Sequence, residues 1–317
     1  MADATMTQTS SLNLDQATWD LALYYALRPQ LYFDMFADVK STNAAPARGV
    51  SVTFELMNDL AAATTTLGET DDVATVLMSD SQVTVTLLEK GNAINTSYKA
   101  RATAYLPLEP AVTNVLGYNA GISIDTIARD VLVAGTNVRY GGAATSRVTV
   151  AAGHTLTAAN VRRAYTDLVN ASVVPFGSFY AAAIHPDQAY DLRTETGAAA
   201  WRDPHVYSQP NEIWNGEVGE FEGFRFFTSP RVTNFADAGV GGTVDVYAAL
   251  FFGRQAIAKA YSTYEGRGPL PTVIESPVTD KLRRFKPWGW HWFGNYGVFR
   301  QASLRRVETS SSIGTNV

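Results

Sequence analysis

The chain has 317 residues, of which 46% are hydrophobic and 17% are charged, and its formal net charge is −5. This length and composition predict about two domain-sized units with real cores, and the negative charge argues against nucleic-acid binding by the whole molecule. The absence of cysteine excludes disulfides and thiolate sites, and no apolar run approaches the ~18 residues that a membrane span needs.

The N-terminal part of the chain is predicted to be an arm. Residues 1–14 are polar and carry neither a basic start nor an apolar core, so no signal peptide is expected. Trp19 to Leu27 has the spacing of a short helix, which Pro29 ends. Such an apolar arm must pack either on its own domain or on a neighbouring molecule.

From Gly49 onward, the apolar residues alternate with polar ones at the period of a β-strand. Strands are predicted for Val50–Leu56, for Val83–Leu87, and for Ile94–Tyr98 after Gly91. The connection between the first two is long for a compact domain. From residue 49 to residue 88 there are six acids and no Lys or Arg, namely Glu55, Asp59, Glu69, Asp71, Asp72 and Asp80. This stretch is either a solvated acidic hairpin or a loop that contacts a partner.

The strongest helix pattern runs from Pro110 to Ala134. Apolar residues recur there at i, i+3 and i+4 spacing, Pro110 suits the first turn, and Gly135 suits the position just past the end. At 1.5 Å per residue the helix would be about 37 Å long. Gly117 and Gly121 are each expected to weaken it by about 1 kcal/mol relative to alanine unless a neighbour packs closely.

Beyond the break at Gly141-Gly142, a strand is predicted at Val148–Val150 and a helix capped by Thr157. The apolar run Phe179–Ile184 reads as a strand that ends at His185, because a following proline disfavours the helical region there. Pro186 suits the first position of a short helix through Arg193. A core strand is expected at Phe224–Phe227.

The last third of the chain is predicted to be mostly β-structure. Val244 to Phe252 forms a strand that Ala256–Tyr261 continues. Trp288, Trp290 and Trp292 lie at strand period, and Gly294-Asn295 suits a turn. Seven basic residues and no acid lie between positions 281 and 306, namely Lys281, Arg283, Arg284, Lys286, Arg300, Arg305 and Arg306. Interleaved aromatic and basic residues can bind nucleic acid, but the regular alternation favours a buried sheet face.

No motif for catalysis or for a cofactor survives inspection. The glycines at 239–242 lack the lysine and spacing of a phosphate loop. His185, His205 and Glu217 could form a metal site only if the fold brought them together. Glu217, Glu220 and Glu222 could act as acid and base, but three acids beside glycines are typical of a solvated loop. We therefore predict no catalytic, cofactor or metal residues, and no cofactor.

Several pieces of the chain, in order and spacing, resemble the major capsid proteins of tailed bacteriophages, in the phage N4-type branch. These pieces are Tyr180…Ile184-His185-Pro186, Asp191-Leu192, Trp201, Gly216-Glu217-Val218-Gly219, Gly223-Phe224-Arg225-Phe226, Asp245-Val246-Tyr247 and Phe252-Gly253. The resemblance spans roughly residues 24–306.

The resemblance implies an α+β chain with the Hong Kong 97-type capsid fold. The implied segments are an N-terminal arm (1–47), an extended β-loop (48–100), a peripheral domain with a long spine helix (101–150), an axial α/β domain (151–274), and a return to the peripheral domain (275–317). In this family the extended loop reaches over the adjacent subunit. The implied function is self-assembly into hexamers and pentamers of an icosahedral head.

The implied partners are copies of the chain itself, a portal, scaffold or decoration proteins, and packaged double-stranded DNA bound without sequence specificity, with no membrane. The implied location is the virion capsid, after assembly in the host cytoplasm. Two alternatives stay open: a cellular nanocompartment shell of the same fold, and a soluble α+β enzyme or ligand-binding protein.

The charge asymmetry adds a hypothesis about contacts between subunits. The acidic 49–88 loop is predicted to lie over the basic 281–306 region of a neighbour. The alternative is that Arg300, Arg305 and Arg306 face inward and neutralise DNA.

Overall fold

A computed structural model describes residues 32–42, 49–70, 72–73, 75–104, 108–196, 220–264, 268–275, 277–278 and 280–313. The predictions for the Trp19–Leu27 helix, Trp201, His205 and the 216–219 stretch lie outside these ranges. Within the described residues, no helix is both long and apolar enough to cross a membrane.

The described strands form two sheets and a separate two-stranded ribbon. The first sheet contains β1 (Asp38–Ser41), β4 (Leu88–Ser97), β11 (Ile257–Tyr261), β12 (Thr272–Glu275) and β13 (Phe285–Val298). The second contains β5 (Val138–Tyr140), β6 (Tyr180–Ile184), β7 (Glu220–Phe221), β8 (Phe224–Thr228), β9 (Asn234–Phe235), β10 (Val246–Phe252) and β14 (Leu304–Thr309). The ribbon pairs β2 (Ser51–Met57) with β3 (Asp80–Thr86). The helices are α1 (Tyr98–Thr103), α2 (Leu108–Val133), α3 (Ala158–Asn170) and α4 (Pro186–Thr194).

The long strand β13 organises the first sheet. It pairs antiparallel with β4, β11 and β12, and β1 adds to β11 in parallel. Trp288, Trp290 and Trp292 are buried in one cluster with residues of α2. The prediction that the tryptophans form a buried sheet face is confirmed.

The predicted long helix is confirmed as α2, which begins at Leu108. Its buried residues, such as Leu116 and Leu132, belong to a core that includes both the tryptophans of β13 and residues of the second sheet. Gly117 faces open space, so a Cβ added there would meet nothing. The predicted cost of this glycine in the helix is therefore not offset by close packing.

The second sheet is covered on both faces. Along β10, Leu250 and Phe252 pack in the core that contains α2, whereas Ala249 and Phe251 pack in a second core with α3 and α4. All seven residues of β10 are buried in consequence. A strand buried on both faces reads as a continuous apolar run, as this one does.

The junction of β6 and α4 forms as the proline predicts. His185 is the N-cap residue, Pro186 occupies the first turn, and Gln188 completes a capping box with the N–H of His185. The predicted cap of α3 is partly wrong, because the Thr157 side chain makes no capping hydrogen bond. Glu195, from the end of α4, accepts a hydrogen bond from the Ala158 N–H at 2.7 Å instead.

The start of the described chain lies where the two sheets meet. Phe33 is fully buried and its N–H donates to Asp125 of α2 at 2.8 Å. Phe36 stacks on Phe227 of β8 with ring centroids 5.4 Å apart, and contacts Phe252 of β10 edge-on. This short segment therefore packs against α2 and the second sheet, while β1 pairs with the first sheet.

Two local predictions are wrong for identifiable reasons. Val148–Val150 is not a strand, since Arg147–Thr149 forms a 3-10 turn closed by Ser146. Gly294-Asn295 is not a turn, because β13 runs straight through it. A Cβ at Gly294 would lie 2.7 Å from the Ala260 carbonyl oxygen, so glycine is needed there for close packing.

Two strand boundaries also differ from the prediction. Ile257–Tyr261 does not continue β10, because the chain turns at Gln255, which has a positive φ of 59°, and enters the other sheet. Gly91 lies inside β4, where a Cβ would meet the Trp290 carbonyl oxygen at 2.6 Å, and Tyr98 already begins α1. The boundaries of the five implied segments remain a prediction.

Candidate functional site

The acidic stretch projects from the first sheet as the β2–β3 ribbon. Its base packs on β11 through Val52, Phe54 and Val85, and residues 58–79 contain no helix or strand among their described positions. Glu55, Asp59, Glu69, Asp72 and Asp80 are all exposed, whereas Asp71 lies outside the described residues. Most of the predicted acidic residues therefore lie on a projecting surface.

The same loop exposes many apolar side chains, which the sequence analysis missed. They are Met57, Leu60, Leu67, Val73, Val76, Leu77 and Met78, and Leu77 is 92% exposed. Scattered apolar residues are ordinary on a surface, but an extended exposed set marks an interaction site. Thr, Asp and Ala residues lie between these apolar side chains, so the apolar residues recur at the period of neither a helix nor a strand.

The predicted basic region separates into an exposed and an internally paired part. Lys281, Arg283 and Arg284 are exposed beside Leu282 and Phe285. We call Lys281, Arg283 and Arg284 the basic tip. The basic tip adjoins α1, since the Tyr98 N–H donates to the Arg284 carbonyl oxygen at 2.6 Å. Arg284 lies 3.7 Å from Asp280 in an exposed ion pair.

Lys286 belongs to the internally paired part. Its Nζ lies 2.8 Å from Glu109 of α2 and 2.9 Å from Glu275 of β12. Hydrogen bonds to Glu109 and then to Glu275 raise the pKa of Lys286 above its usual value. Lys286 therefore links α2 to the first sheet through ion pairs within one chain.

The arginines near the C-terminal end also have partners in their own chain. Arg300 donates to the Ala171 carbonyl oxygen at 3.2 Å. Arg305 lies 3.6 Å from Asp167, and Arg306 lies 2.8 Å from the fully buried Glu308. A backbone carbonyl oxygen, a distant carboxylate and a neighbouring carboxylate thus pair with Arg300, Arg305 and Arg306 respectively.

The structure does not bring the acidic loop and the basic tip together within one chain. The two surfaces lie at opposite ends of the stretch formed by β3 and β4. The acidic loop precedes Asp80, the first residue of β3, and the basic tip precedes Phe285, which pairs with Ser97 at the end of β4. At about 3.3 Å per residue, this stretch is up to about 60 Å long. A contact between the two surfaces therefore requires two molecules.

The histidine and glutamate sites weighed in the sequence analysis are structural where they are described. His185 caps α4, its Nδ1 lies 3.2 Å from Asp187, and burial lowers its pKa while Asp187 opposes that shift. Glu222 occupies the β7–β8 turn and lies 2.8 Å from Arg162. His205 and Glu217 lie outside the described residues, within which no cluster of His, Asp or Glu is suited to a metal ion.

Comparison with known proteins shows similarity to phage capsid proteins over most of the chain. A family model described as "phage capsid protein" matches residues 38–311. No curated protein matches the sequence significantly. Among solved structures, the capsid of Ralstonia phage GP4 matches 99% of this chain and 100% of its own, at 19% identity and a TM-score of 0.75.

Two other solved structures show the same overall similarity at lower identity. The cyanophage Pam1 capsid covers 98% of this chain and 100% of its own, at 13% identity and a TM-score of 0.77. The capsid of Helicobacter pylori bacteriophage KHP30 covers the same shares at 11% identity and a TM-score of 0.69. The α+β class and the capsid fold implied by the sequence resemblance are confirmed.

Proposed function

Because the chain belongs to the phage capsid protein family, we propose that it assembles into the hexamers and pentamers of an icosahedral head that encloses double-stranded DNA. The protein is a structural, major capsid protein of the tailed-phage type. Its membership favours the phage head over the nanocompartment shell that the sequence left open.

The observation that carries the proposed assembly is the projecting β2–β3 loop. In a lone subunit the loop leaves Leu77, Met78 and their apolar neighbours in water. Burying such side chains contributes roughly 1.5–3 kcal/mol each. A contact repeated around a closed symmetric ring would gain this energy at every subunit.

The contact between subunits that we propose joins the acidic loop to the basic tip of a neighbour. Glu55, Asp59, Glu69 and Asp72 would face Lys281, Arg283 and Arg284, which lie on an exposed surface beside apolar Leu282. Opposite charge fixes register and partner choice more than it adds affinity. The acidic loop and the basic tip lie at opposite ends of the subunit, so the proposed contact joins two different surfaces. Such head-to-tail contacts generate rings.

The other proposed partners are those that a head containing DNA requires. A portal, together with scaffold or decoration proteins, would complete the shell, which would form in the host cytoplasm and end in the virion. DNA would be held by charge without sequence specificity. Arg300, Arg305 and Arg306 are weaker candidates for that contact than the sequence indicated, since each has a partner within its own chain.

The proposed assembly is tested by expressing the protein alone and measuring its size by light scattering and negative-stain microscopy. Closed shells, tubes or capsomer-sized rings are expected. If only monomers form, the neighbouring head genes are co-expressed and the measurement is repeated. A chain that stays monomeric under both conditions would overturn the proposal.

A further inference from the structure

A cleft of about 370 Å³ opens between β5, at the edge of the second sheet, and the first turns of α3. Its polar lining is Arg139, Tyr140, Thr145, Asn160 and Arg163. These side chains offer guanidinium, hydroxyl and amide donors around one space.

The ion pairs beside the cleft use two carboxylates for four arginines. Arg139 donates to both oxygens of Asp167, with 2.6 Å between Nη2 and Oδ1, and Arg305 approaches the same carboxylate at 3.6 Å. Arg147 holds both oxygens of the buried Glu308, at 2.8 and 2.7 Å. Arg306 shares Glu308 at 2.8 Å. Both carboxylates are therefore shared between two cations.

Arg163 adds a further positive charge at the mouth of the cleft. It is exposed, and no ion pair between described residues includes it. Burial lowers the pKa of Arg306, while attraction to Glu308 opposes that shift and repulsion from Arg147 adds to it. Five arginines against two carboxylates leave an excess of positive charge around this edge of the second sheet, on both of its faces, in a chain whose formal net charge is −5.

We propose that this arginine-lined cleft binds a phosphate group. The planar guanidinium matches two phosphate oxygens at once, so Arg163 would hold the anion directly. Tyr140, Thr145 and Asn160 would donate to the remaining oxygens, and the paired arginines would supply a favourable field. Two kinds of ligand present such a phosphate group: a free phosphate or pyrophosphate ion, and the backbone of nucleic acid. The site is a property of the folded subunit and goes beyond the proposed assembly.

The test is calorimetric titration of the full-length protein with inorganic pyrophosphate at constant ionic strength. Wild-type protein is compared with Arg163→Gln and with Arg193→Gln, which removes an exposed arginine on α4 that does not line the cleft. We expect saturable binding that weakens at least about tenfold in Arg163→Gln and is unchanged in Arg193→Gln. Absence of saturable binding, or an equal loss in both variants, would overturn the proposal.

Two further measurements distinguish a free phosphate ion from nucleic acid as the ligand, and phosphate binding from assembly. Competition by a short DNA duplex identifies nucleic acid as the source, and the lack of competition identifies a free phosphate ion. Light scattering of the same samples reports assembly independently. Loss of pyrophosphate binding with unchanged assembly assigns the defect to the cleft, whereas failed assembly with intact binding counts against the proposed shell function alone.

Discussion

Asp34 and Lys259 form an ion pair with 2.6 Å between Oδ1 and Nζ, and the lysine side chain is only 3% exposed. The same Asp34 oxygen accepts a hydrogen bond from the Tyr296 hydroxyl, and Lys259 lies over the rings of Trp292 and Tyr296. A single carboxylate from the N-terminal segment thus neutralises a cation buried in the first sheet.

Replacing Asp34 with asparagine is expected to destabilise the subunit by about 3 kcal/mol, because the charge of Lys259 would remain buried without a counter-ion. Chemical denaturation measures the loss. The double variant Asp34→Asn with Lys259→Met should recover much of it. Asp130→Asn, in an exposed pair with Arg129, should cost less than about 1 kcal/mol. Equal losses in the two single variants would contradict the role of burial.

Replacing Leu77 with serine is expected to block assembly while leaving the subunit fold intact. The side chain is 92% exposed in the single chain, so the free energy of unfolding should change by less than about 0.5 kcal/mol. Light scattering measures assembly. Val148→Ser, at an exposed apolar residue outside the loop, serves as the control. A Leu77 variant that assembles as well as this control would exclude the loop from the interface.

Charge reversal tests which surfaces meet. Glu69→Lys and Arg283→Glu should each slow assembly, and mixing the two variants or combining both changes in one chain should restore part of the rate, because opposite charges face each other again. The measurement is the assembly rate at low and high salt, since screening weakens exposed pairs. Arg193→Glu on α4 is the control. Failure of the combined changes to improve on either single change would contradict the proposed pairing.

Two glycine substitutions should act in opposite directions. Gly117→Ala is expected to stabilise the protein by about 1 kcal/mol, because alanine favours the helix and a Cβ there meets nothing. Gly294→Ala is expected to destabilise it by about 1–3 kcal/mol, because the Cβ would crowd Ala260 and the Trp292 ring. Thermal unfolding of both variants checks the signs, and a stabilising Gly294→Ala would show that β13 can shift.

The His185 site predicts a loss of stability on acidification. Burial lowers the pKa of His185 in the folded chain, so the unfolded chain binds the proton more readily, and stability falls as the pH drops through about 6.5. His185→Asn keeps an acceptor for the helix cap and should reduce the slope of stability against pH between about pH 7 and 5. Urea denaturation at several pH values measures this, and an unchanged slope would refute the assignment.

Local patterns in the sequence predicted much of the fold. Pro186 located the end of β6 and the start of α4, and the alternating tryptophans identified the buried face of β13. In both cases the residues that determine the structure are neighbours in the chain. Where the determining partner is distant, prediction failed. The cap of α3 comes from Glu195, and the glycine at 294 is required by Ala260 on another strand.

The candidate surface was predicted only in part for the same reason. Counting charges located the acidic loop, whose described acidic residues are all exposed. The basic region appeared uniform, yet Lys286 pairs with the distant Glu109 and Glu275, and Arg305 with the distant Asp167. Only the folded chain reveals which charges remain at the surface.

The near-continuity of β3 and β4 has a mechanical consequence. Only Leu87 separates the two strands, and β4 then pairs along its whole length, Leu88–Ser97, with β13. Tension on the loop is therefore directed along β4 and loads the ladder in shear, so that its hydrogen bonds must break together rather than one after another. A subunit pulled by its loop, as in a shell under internal pressure, would resist that force as a tether anchored in the first sheet.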